Sequence, residues 1–583
     1  MVLHHLFKRT TMSATQPPKT RRVAVIGAGP AGLSATHQLL SLSSPCASRA
    51  FDVTLFDRRQ NYSGVWGYDP EPGPCVVRYD PSGRAYPLWS GSLEHGSQGG
   101  RFRPPGAMYD GLRTNLPCDI MAYRSFPYPA STPLFPSRAQ VETYIDSFAS
   151  SVLEGREVDV RLNTAVSHVR RVAHERMEDK IGWGSMWSVK SIDIESGKET
   201  VEAFENVVVA SGRCSTPNIP YIKGLNRFKG MILHSAWWRS PLPYEGKKVL
   251  VVGNSSSGSD IARELAGYVL RTLPEGEAAT QSYIERCSAG KKGKESRRVL
   301  HSYEHFDKPP PLDYDPREEE SPDWAKRITV VPRIESIDEE RSVVFKDDKA
   351  ERREDGIEVI IFATSYSYDF PYLPQDQPPF DKKPLIPLPP NASEKSGEEG
   401  GDYIPPSRTA PFLTNLDDWS LFYAPDPSIC VLGAPIRIVP MPLTHVQSRI
   451  VAACWAGEVA PWRGSTGLPR LDPRVPSTDA KKWSSAVGKG EEGGNKTSDL
   501  GFPSDSAYQD ALLSLLPQQL REKGEDEMVK VPGATEEVEA GGKEIGQSLR
   551  PVVAEDEGWS RMADFRNERR ADTKRLRRLL LGY

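Results

Sequence analysis

Three glycines, Gly27, Gly29 and Gly32, have the spacing of a turn that binds a dinucleotide. Apolar residues 22–27 predict a buried strand before this turn, and residues 31–40 predict a helix after it. The first glycine permits a tight turn, the second lets the backbone approach a pyrophosphate, and the third allows close helix–strand packing. The predicted dinucleotide site comprises Gly27, Ala28, Gly29, Pro30, Ala31 and Gly32.

Asp57 ends a second apolar strand at residues 51–57, which completes a βαβ unit of the expected length. A carboxylate at this strand end is placed to accept hydrogen bonds from the hydroxyls of a ribose. The alternative is a glycine turn used only for packing. The strand before the turn and the acid after it favour the nucleotide site.

A second strand–turn–helix pattern begins at residue 248 and includes Gly253, Ser257, Gly258 and Asp260. Ser255 occupies the position of the middle glycine, and serine hydroxyls are able to donate to phosphate. Arg286 ends a candidate strand at 282–286, where a cation suits the 2′-phosphate of NADPH better than NADH. The basic residues that follow, at 291–298, are equally compatible with a solvated loop.

Four other segments occur in a characteristic order: Gly64-Val65-Trp66, residues 112–117, residues 228–239 and residues 362–366. Together with the two turns they resemble the flavin-containing monooxygenases, particularly soluble fungal or yeast-like members. The resemblance extends from about residue 22 to about residue 470. It implies an α/β protein with two doubly wound, Rossmann-like dinucleotide-binding domains, in which an FAD domain is interrupted by an NADP domain.

The expected limits follow from this arrangement. Residues 22–215 and 336–465 are predicted to form the FAD domain, and residues 216–335 the NADP domain. A disordered lead-in is predicted at 1–21, a low-complexity linker containing a short helix at 466–550, and a C-terminal helix at 551–583. Residues 374–411 are rich in proline and charge and are also predicted to be poorly structured.

The resemblance assigns roles to single residues. Residues 27–32 and Asp57 would hold FAD, with Val65 and Trp66 beside it. Thr114 and Asn115 would lie near the flavin and nicotinamide rings, and Asn115 is the predicted catalytic residue. The positions implied for NADP are Gly253, Ser257, Gly258, Asp260 and Thr364, and Gln447 is a weaker candidate near the flavin.

The implied reaction uses FAD, NADPH and O2. Hydride reduces the flavin, O2 adds at C4a, and the resulting hydroperoxide oxygenates a soft nucleophile, either sulfur or an amine nitrogen as in N,N-dimethylaniline. The cofactor performs the difficult step, so no metal and no protein nucleophile are predicted. Partners are therefore a small-molecule substrate and O2.

Three departures leave alternatives open. A tryptophan at position 238 is similar to the motif of the Baeyer–Villiger monooxygenases, which oxygenate ketones. Arg239 and residues 114–115 instead favour heteroatom oxygenation. Ser255 and Ser365 replace glycines and keep open a catalytically silent flavoprotein; Ser365 is tolerated if its φ is negative. His234, within 228–239, is interpreted as a structural linker residue rather than an acid or base.

Composition limits the remaining functions. A net charge of −4 over 583 residues gives no reason to expect nucleic acid as a partner. The 7 cysteines form no Cys-x-x-Cys pair, which disfavours a disulfide reductase and is typical of a reducing, cytoplasmic compartment. No apolar run approaches a membrane span. A homodimer stays open, and helices are predicted at 507–522 and 559–581.

Overall fold

The structure, a computed structural model, describes residues 20–42, 50–94, 102–124, 126–172, 186–270, 299–310, 314–339, 341–346, 352–387, 409–417, 419–435, 438–459, 505–522, 549–552 and 557–582. Arg286 and its candidate strand lie outside these residues, as do most of the predicted lead-in and linker.

The described helices are numbered in chain order. They are α1 (Pro30–Ser41), α2 (Ser90–Glu94), α3 (Cys118–Met121), α4 (Arg138–Leu153), α5 (Ser256–Leu265), α6 (Pro440–Trp455), α7 (Asp505–Leu513), α8 (Gln518–Glu522) and α9 (Asp564–Leu581).

The strands are numbered in the same way. The first eleven are β1 (Arg21–Ile26), β2 (Phe51–Phe56), β3 (Cys75–Tyr79), β4 (Ala85–Trp89), β5 (Asp159–Arg161), β6 (Thr164–Val172), β7 (Met186–Asp193), β8 (Glu199–Phe204), β9 (Asn206–Val209), β10 (Thr216–Pro217) and β11 (Met231–His234). The others are β12 (Val249–Val252), β13 (Val299–Ser302), β14 (Ile328–Val331), β15 (Ile334–Glu339), β16 (Ser342–Phe345), β17 (Arg352–Glu354), β18 (Val359–Phe362), β19 (Tyr366–Asp369), β20 (Thr409–Ala410) and β21 (Ile429–Val431).

A first parallel sheet has the strand order β21-β9-β1-β2-β5. Side chains alternate across β1, so Val23 and Val25 belong to the core shared with α1 and α6, and Ala24 and Ile26 to the opposite core. The antiparallel sheet β6-β7-β8 contributes Val169 to that opposite core. The central strands of the parallel sheet are buried on both faces, which explains why they are mostly apolar.

A second parallel sheet repeats this architecture, with the order β11-β18-β12-β13-β14. Helix α5 covers one face through Ile261 and Leu265, and the antiparallel sheet β15-β16-β17 covers the other through Val343 and Phe345. Two Rossmann-like halves are therefore present, which confirms the predicted α/β fold class.

Both glycine turns lie at the switch points of their sheets. The chain leaves β1 for β2 on one side, whereas β9 lies on the other side; β12 has the same relation to β13 and β18. Ligands of open parallel sheets bind at the carboxyl ends of strands at such points. The topology alone therefore directs attention to residues 27–32 and 253–258.

The domain limits need one adjustment, which we propose from the sheets. Strand β18 lies between β11 and β12 in the second sheet, although it follows the predicted boundary at 335/336. Antiparallel strands β15 to β17 also pack on that sheet. A boundary after residue 362 would keep the second sheet and its covering layer in one domain.

Two other predicted segments differ in detail. The prediction of poor structure at 374–411 is wrong for its first part, because Phe380, Leu385 and Ile386 are fully buried in the core under β1. The helix predicted at 507–522 is two helices, α7 and α8, separated by a turn that includes Pro517. The predicted terminal helix is α9.

Within the described part of the chain, no helix combines the length and apolar character required to span a bilayer.

Candidate functional site

The first turn needs glycine at two positions. Gly27 has φ +106°, and a Cβ there would lie 2.6 Å from the carbonyl oxygen of Ala210. A Cβ on Gly32 would lie 1.7 Å from the carbonyl oxygen of Gly27, so α1 packs against the turn only with glycine. Gly29 is the N-cap of α1 and provides no capping side chain, which leaves the helix N-terminus with unsatisfied N–H groups that favour an anion.

Asp57 lies beside this turn at the end of β2. Its Oδ2 accepts a hydrogen bond from the Ala28 amide at 2.7 Å, and its Oδ1 accepts one from the Arg59 amide at 2.8 Å. Burial raises the pKa of this carboxyl group, and the two amides oppose that effect. Each oxygen keeps a second lone pair, so the oriented carboxylate can still accept a hydroxyl group.

The segment Gly64–Trp66 is a short 3₁₀ helix that passes directly over the first turn. A Cβ on Gly29 would lie 3.0 Å from the Cα of Gly64, so the two backbones approach closely. Trp66 packs against three of the hydrophobic clusters, whereas Val65 is 38% exposed. An exposed apolar side chain beside the turn is a surface that a flavin ring can cover.

The second turn reproduces the first turn position by position. Gly253 has φ +102°, and a Cβ there would lie 2.6 Å from the carbonyl oxygen of Ala363. A Cβ on Gly258 would lie 1.8 Å from the carbonyl oxygen of Gly253. Ser255 takes the N-cap place of Gly29 with φ −87° and makes no side-chain cap, so serine fits the backbone and keeps an exposed hydroxyl.

Ser365 differs from this favourable case. Its φ is +67°, so the condition under which serine would be tolerated is not met. The strained backbone is held by two hydrogen bonds to the Ser365 carbonyl oxygen, from Asn218 N at 3.1 Å and from His234 Nε2 at 2.9 Å. The neighbouring Thr364 hydroxyl donates to the Asn218 carbonyl at 2.6 Å, which makes it a support of this loop.

Replacing Ser365 by glycine should therefore stabilise the holoprotein. The left-handed conformation costs serine about 1–2 kcal/mol, a strain that glycine avoids. Glycine loses about 0.5–1 kcal/mol more in backbone entropy on folding, which offsets part of this gain. The midpoint of thermal unfolding, followed by flavin release or calorimetry, should rise by about 1–2 °C. Ser367→Gly, two residues further in β19, is the matched control and should lower it. A lowered midpoint for Ser365→Gly would contradict the strain.

Asn115 contacts the start of the helix that follows the second turn. Asn115 Nδ2 donates to Ser256 Oγ at 2.9 Å, and Ser256 is the first residue of α5. Thr114 is 2% exposed, and its hydroxyl oxygen is buried without a hydrogen-bond partner. An orphaned buried hydroxyl next to Asn115 is a group that a bound cofactor could satisfy.

Asp260, a predicted NADP position, is buried in the helix that follows the second turn. It lies in the second turn of α5, is 6% exposed, and accepts hydrogen bonds from the Tyr109 hydroxyl and from Arg263 Nη2. Its Oδ2 therefore joins α5 to Tyr109, whereas its Oδ1 is bonded within α5. Each oxygen keeps a second lone pair, so the contact of Asp260 with NADP stays a prediction. Ser257 and Gly258, by contrast, lie in the first turn of α5, where a phosphate binds.

Glu264 is a buried carboxyl group one turn further along α5. Trp238 Nε1 donates to its Oε2 at 3.0 Å, and both residues are at most 1% exposed. Burial raises the pKa of Glu264 to about 8, and the nearby Arg263 opposes the rise. This hydrogen bond explains why position 238 is tryptophan, because phenylalanine would leave the carboxyl group of Glu264 without its donor.

Glu264 makes stability depend on pH in a defined direction. Its pKa in the folded state is above the ordinary value, so the folded protein binds the extra proton and loses stability as pH rises towards about 8. Glu264→Gln should remove this loss, and the free energy of unfolding relative to wild type should grow by about 1.4 kcal/mol per pH unit between about pH 5 and pH 8. Denaturant titrations over this range, with the exposed Glu154→Gln as control, measure it. A difference independent of pH would contradict the assignment.

His234 and Arg239 are structural in this arrangement. His234 Nδ1 accepts from the Ala236 amide, so Nε2 carries the proton that it donates to Ser365. Burial lowers the pKa of His234 to about 3, which keeps the ring neutral. Arg239 donates to the backbone carbonyls of Asp69, Gly106, Ala236 and Trp238. These contacts support a structural role for His234, and its role in linking the two domains stays a prediction.

Gln447 is fully buried, and both ends of its amide are used. Its Oε1 accepts from the Gly433 amide at 2.9 Å, and its Nε2 donates to the Tyr508 hydroxyl at 3.0 Å. The side chain joins the end of β21 to α7. These contacts give no support to its predicted contact with the flavin.

Sequence reasoning did not single out Ser256, Tyr109 or Glu264. Ser256 lies inside the recognised turn, and its position at the start of a helix was the available signal. Tyr109 and Glu264 belong to no recognisable motif, because their roles arise from packing between distant segments. Tyr109, for example, bonds to Asp260, which is more than 150 positions away.

Two dinucleotide turns at the switch points of two parallel sheets define a protein that binds two nucleotides. Comparison with known proteins agrees. A family model described as flavin-binding monooxygenase-like matches residues 89–276 and 324–382, and one described as an NAD(P)-binding Rossmann-like domain matches residues 25–90.

Individual relatives extend the match. Flavin-containing monooxygenase iboF of Amanita muscaria (strain Koide BX008) is 30% identical over 399 residues, covering 62% of this chain and 68% of that protein. Flavin-containing monooxygenase FMO GS-OX-like 9 of Arabidopsis thaliana is 26% identical, covering 81% of this chain and 82% of that protein. The solved S-allyl-L-cysteine S-oxygenase of Allium sativum shares the fold, with a TM-score of 0.56 and 23% identity over 85% of this chain and 88% of that one.

The chain belongs to the flavin-containing monooxygenase family. It is a monooxygenase and a flavoprotein whose cofactors are FAD and NADPH, and its substrates are O2 and a small molecule.

Proposed function

We propose that the enzyme uses NADPH and O2 to oxygenate a soft nucleophile, either a sulfur or an amine nitrogen, in a small molecule. One oxygen atom enters the substrate and the other leaves as water, while NADPH with one proton supplies the two electrons. The observation that carries the proposal is the hydrogen bond from Asn115 Nδ2 to Ser256 Oγ. It brings the Thr114–Asn115 segment to the N-terminus of the helix that follows the second turn.

The residues at the two turns fit the two cofactors. Residues 27–32 would bind the FAD pyrophosphate, Asp57 its ribose, and Val65 and Trp66 would lie beside the flavin. Gly253 to Gly258 would bind the NADP pyrophosphate, with the Ser255 and Ser257 hydroxyls as further donors. When bound, FAD together with NADPH would supply the chemistry that activates O2.

The protein contributes position and shielding. Asn115 uses only one of its two N–H groups on Ser256, which leaves the other to orient the flavin or nicotinamide. Leu112 and Leu116, each 9% exposed, flank the segment and limit access of water, which would otherwise release H2O2. His234 takes no part in proton transfer, because both ring nitrogens are in hydrogen bonds.

Ketone oxygenation is the alternative that Trp238 raised. The fully buried indole donates to Glu264 of α5. Packing therefore explains why position 238 is tryptophan, independently of the substrate. This favours heteroatom oxygenation. S-oxygenation, named for the Allium sativum enzyme, is the activity to test first. We place the reaction in the cytoplasm, where NADPH is available and the described cysteines, all free, stay reduced.

Product analysis tests the proposal. The holoenzyme is incubated with NADPH and O2 labelled with heavy oxygen, and separately with methyl phenyl sulfide, N,N-dimethylaniline and cyclohexanone. We expect labelled sulfoxide or N-oxide in proportion to the NADPH consumed, and no lactone. Labelled lactone from the ketone, without sulfoxide or N-oxide, would assign the chain to the ketone-oxygenating class instead.

A further inference from the structure

Helix α9, near the C-terminus, contacts both α3 and the hydrophobic cluster that contains α5. Its buried residues recur with helical spacing, and they are Arg566, Arg569, Thr573, Leu576, Arg577 and Leu581. An amphipathic helix with three buried arginines is costly unless each one is paired. The partners of these arginines show what the helix holds.

The first half of α9 is fixed to the segment after Asn115. Arg569 Nε donates to Asp119 Oδ2 at 3.0 Å, and both side chains are fully buried. Arg566 donates to the carbonyl oxygens of Ile120 and Ala122 and to Glu557. Removing one partner of such a buried pair leaves an uncompensated charge, so α9 and α3 are tightly bound to each other.

The second half of α9 is fixed to the second parallel sheet. Leu576 and Leu581 belong to the same hydrophobic cluster as Ile261 and Leu265 of α5. The last carbonyl of the helix, at Leu581, accepts from the Tyr268 hydroxyl at 2.7 Å. Gly582 ends the helix with φ +77°, the usual left-handed C-cap.

Between these anchors lies Arg577, which is 2% exposed. Its Nη1 donates to the carbonyl oxygen of Thr114 at 3.3 Å. The Thr114 amide donates in turn to the Pro136 carbonyl at 3.0 Å, so hydrogen bonds hold both the amide and the carbonyl of residue 114. Arg569 and Arg577 are about 12 Å apart along the helix axis, and they hold residues 114 and 119 at the two ends of one short segment.

We propose that Arg577 is a positioning residue, through which α9 sets the place of Thr114 and Asn115 against the second turn. This rests on the proposed function, in which Asn115 orients the cofactors. The segment of Thr114 and Asn115 is thus held in place by a helix more than 400 positions later in the chain. Arginine suits this place because its fixed, always charged fork reaches a backbone carbonyl from within a packed helix.

The test compares Arg577→Met with Arg575→Met, an exposed arginine of the same helix that pairs only locally with Asp572. Hydrogen exchange of peptides covering residues 109–118 should be faster in Arg577→Met and unchanged in Arg575→Met. The dissociation constant of NADP⁺ and the ratio of H2O2 to oxygenated product should both rise, by about tenfold to a hundredfold. Arg577→Lys, which keeps the charge but loses the fork, should fall between.

Three results separate the outcomes. Unchanged exchange and unchanged NADP⁺ binding in Arg577→Met would overturn the positioning role. Lower thermal stability with wild-type coupling would also overturn it, since that is what a purely structural arginine would produce. If Arg577→Met does not retain FAD, Arg577→Lys takes its place in the same measurements. A wild-type enzyme without coupled oxygenation would instead refute the proposed function, while the exchange and binding measurements would still judge Arg577.

Discussion

A Gly258→Ala variant should purify with its yellow FAD and yet be reduced by NADPH about a hundredfold more slowly than the wild type. The added Cβ would lie 1.8 Å from the Gly253 carbonyl oxygen, so the second turn must open and its phosphate-binding amides move apart. The first turn is on another sheet and is not disturbed. Anaerobic stopped-flow bleaching of the flavin against NADPH concentration measures the effect.

Gly32→Ala is the companion variant. Its Cβ would lie 1.7 Å from the Gly27 carbonyl oxygen, so this protein should purify without flavin. Gly67→Ala is the control, because a Cβ there meets its neighbours at 3.5 Å, in ordinary van der Waals contact. Loss of FAD in Gly258→Ala with normal FAD in Gly32→Ala would reverse the assignment of the two turns.

Replacing Asn115 by alanine should convert the enzyme largely into an NADPH oxidase that releases H2O2. Loss of one preorganised amide donor near developing charge costs about a hundredfold to a thousandfold in comparable sites. NADPH consumption should continue, because neither glycine turn is altered. The ratio of H2O2 to oxygenated product, measured with methyl phenyl sulfide, should rise accordingly.

Ser256→Ala separates two explanations of that effect. It removes the acceptor of the hydrogen bond at 2.9 Å but leaves the Asn115 amide in place. Strong uncoupling in Asn115→Ala with mild uncoupling in Ser256→Ala would indicate that the amide acts on the cofactors. Equal uncoupling would indicate that it acts by joining the two segments. Normal coupling in Asn115→Ala would remove Asn115 from the site.

Much of the fold was predictable because local physics dominates there. Strands β1, β2, β9, β12, β18 and β21 are short and mostly apolar, and each was expected from the sequence. Gly27 and Gly253 were recognisable because a positive φ next to a carbonyl excludes other residues. In these places sequence spacing and backbone geometry are the same information.

Other features depend on contacts between distant segments and carry no local signal. The place of β18 in the second sheet follows from its pairing with β11 and β12, not from its own residues. Asp260 has the position expected for a nucleotide ligand, but its hydrogen bonds from Tyr109 and Arg263 had no signal in the sequence. The helix predicted at 559–581 was expected, but the burial of its arginines against Asp119, Glu557 and Thr114 was not, because it depends on distant segments.

The central claim is that NADPH-reduced enzyme activates O2 in order to oxygenate a soft nucleophile. Stopped-flow absorbance of the anaerobically reduced enzyme, mixed with O2 in the presence and absence of a thioether or tertiary amine, tests this most directly. We predict a long-lived C4a-hydroperoxyflavin that decays faster as the concentration of the nucleophile is raised. Direct return to oxidised flavin at a rate independent of the nucleophile, or flavin that NADPH does not bleach, would contradict it.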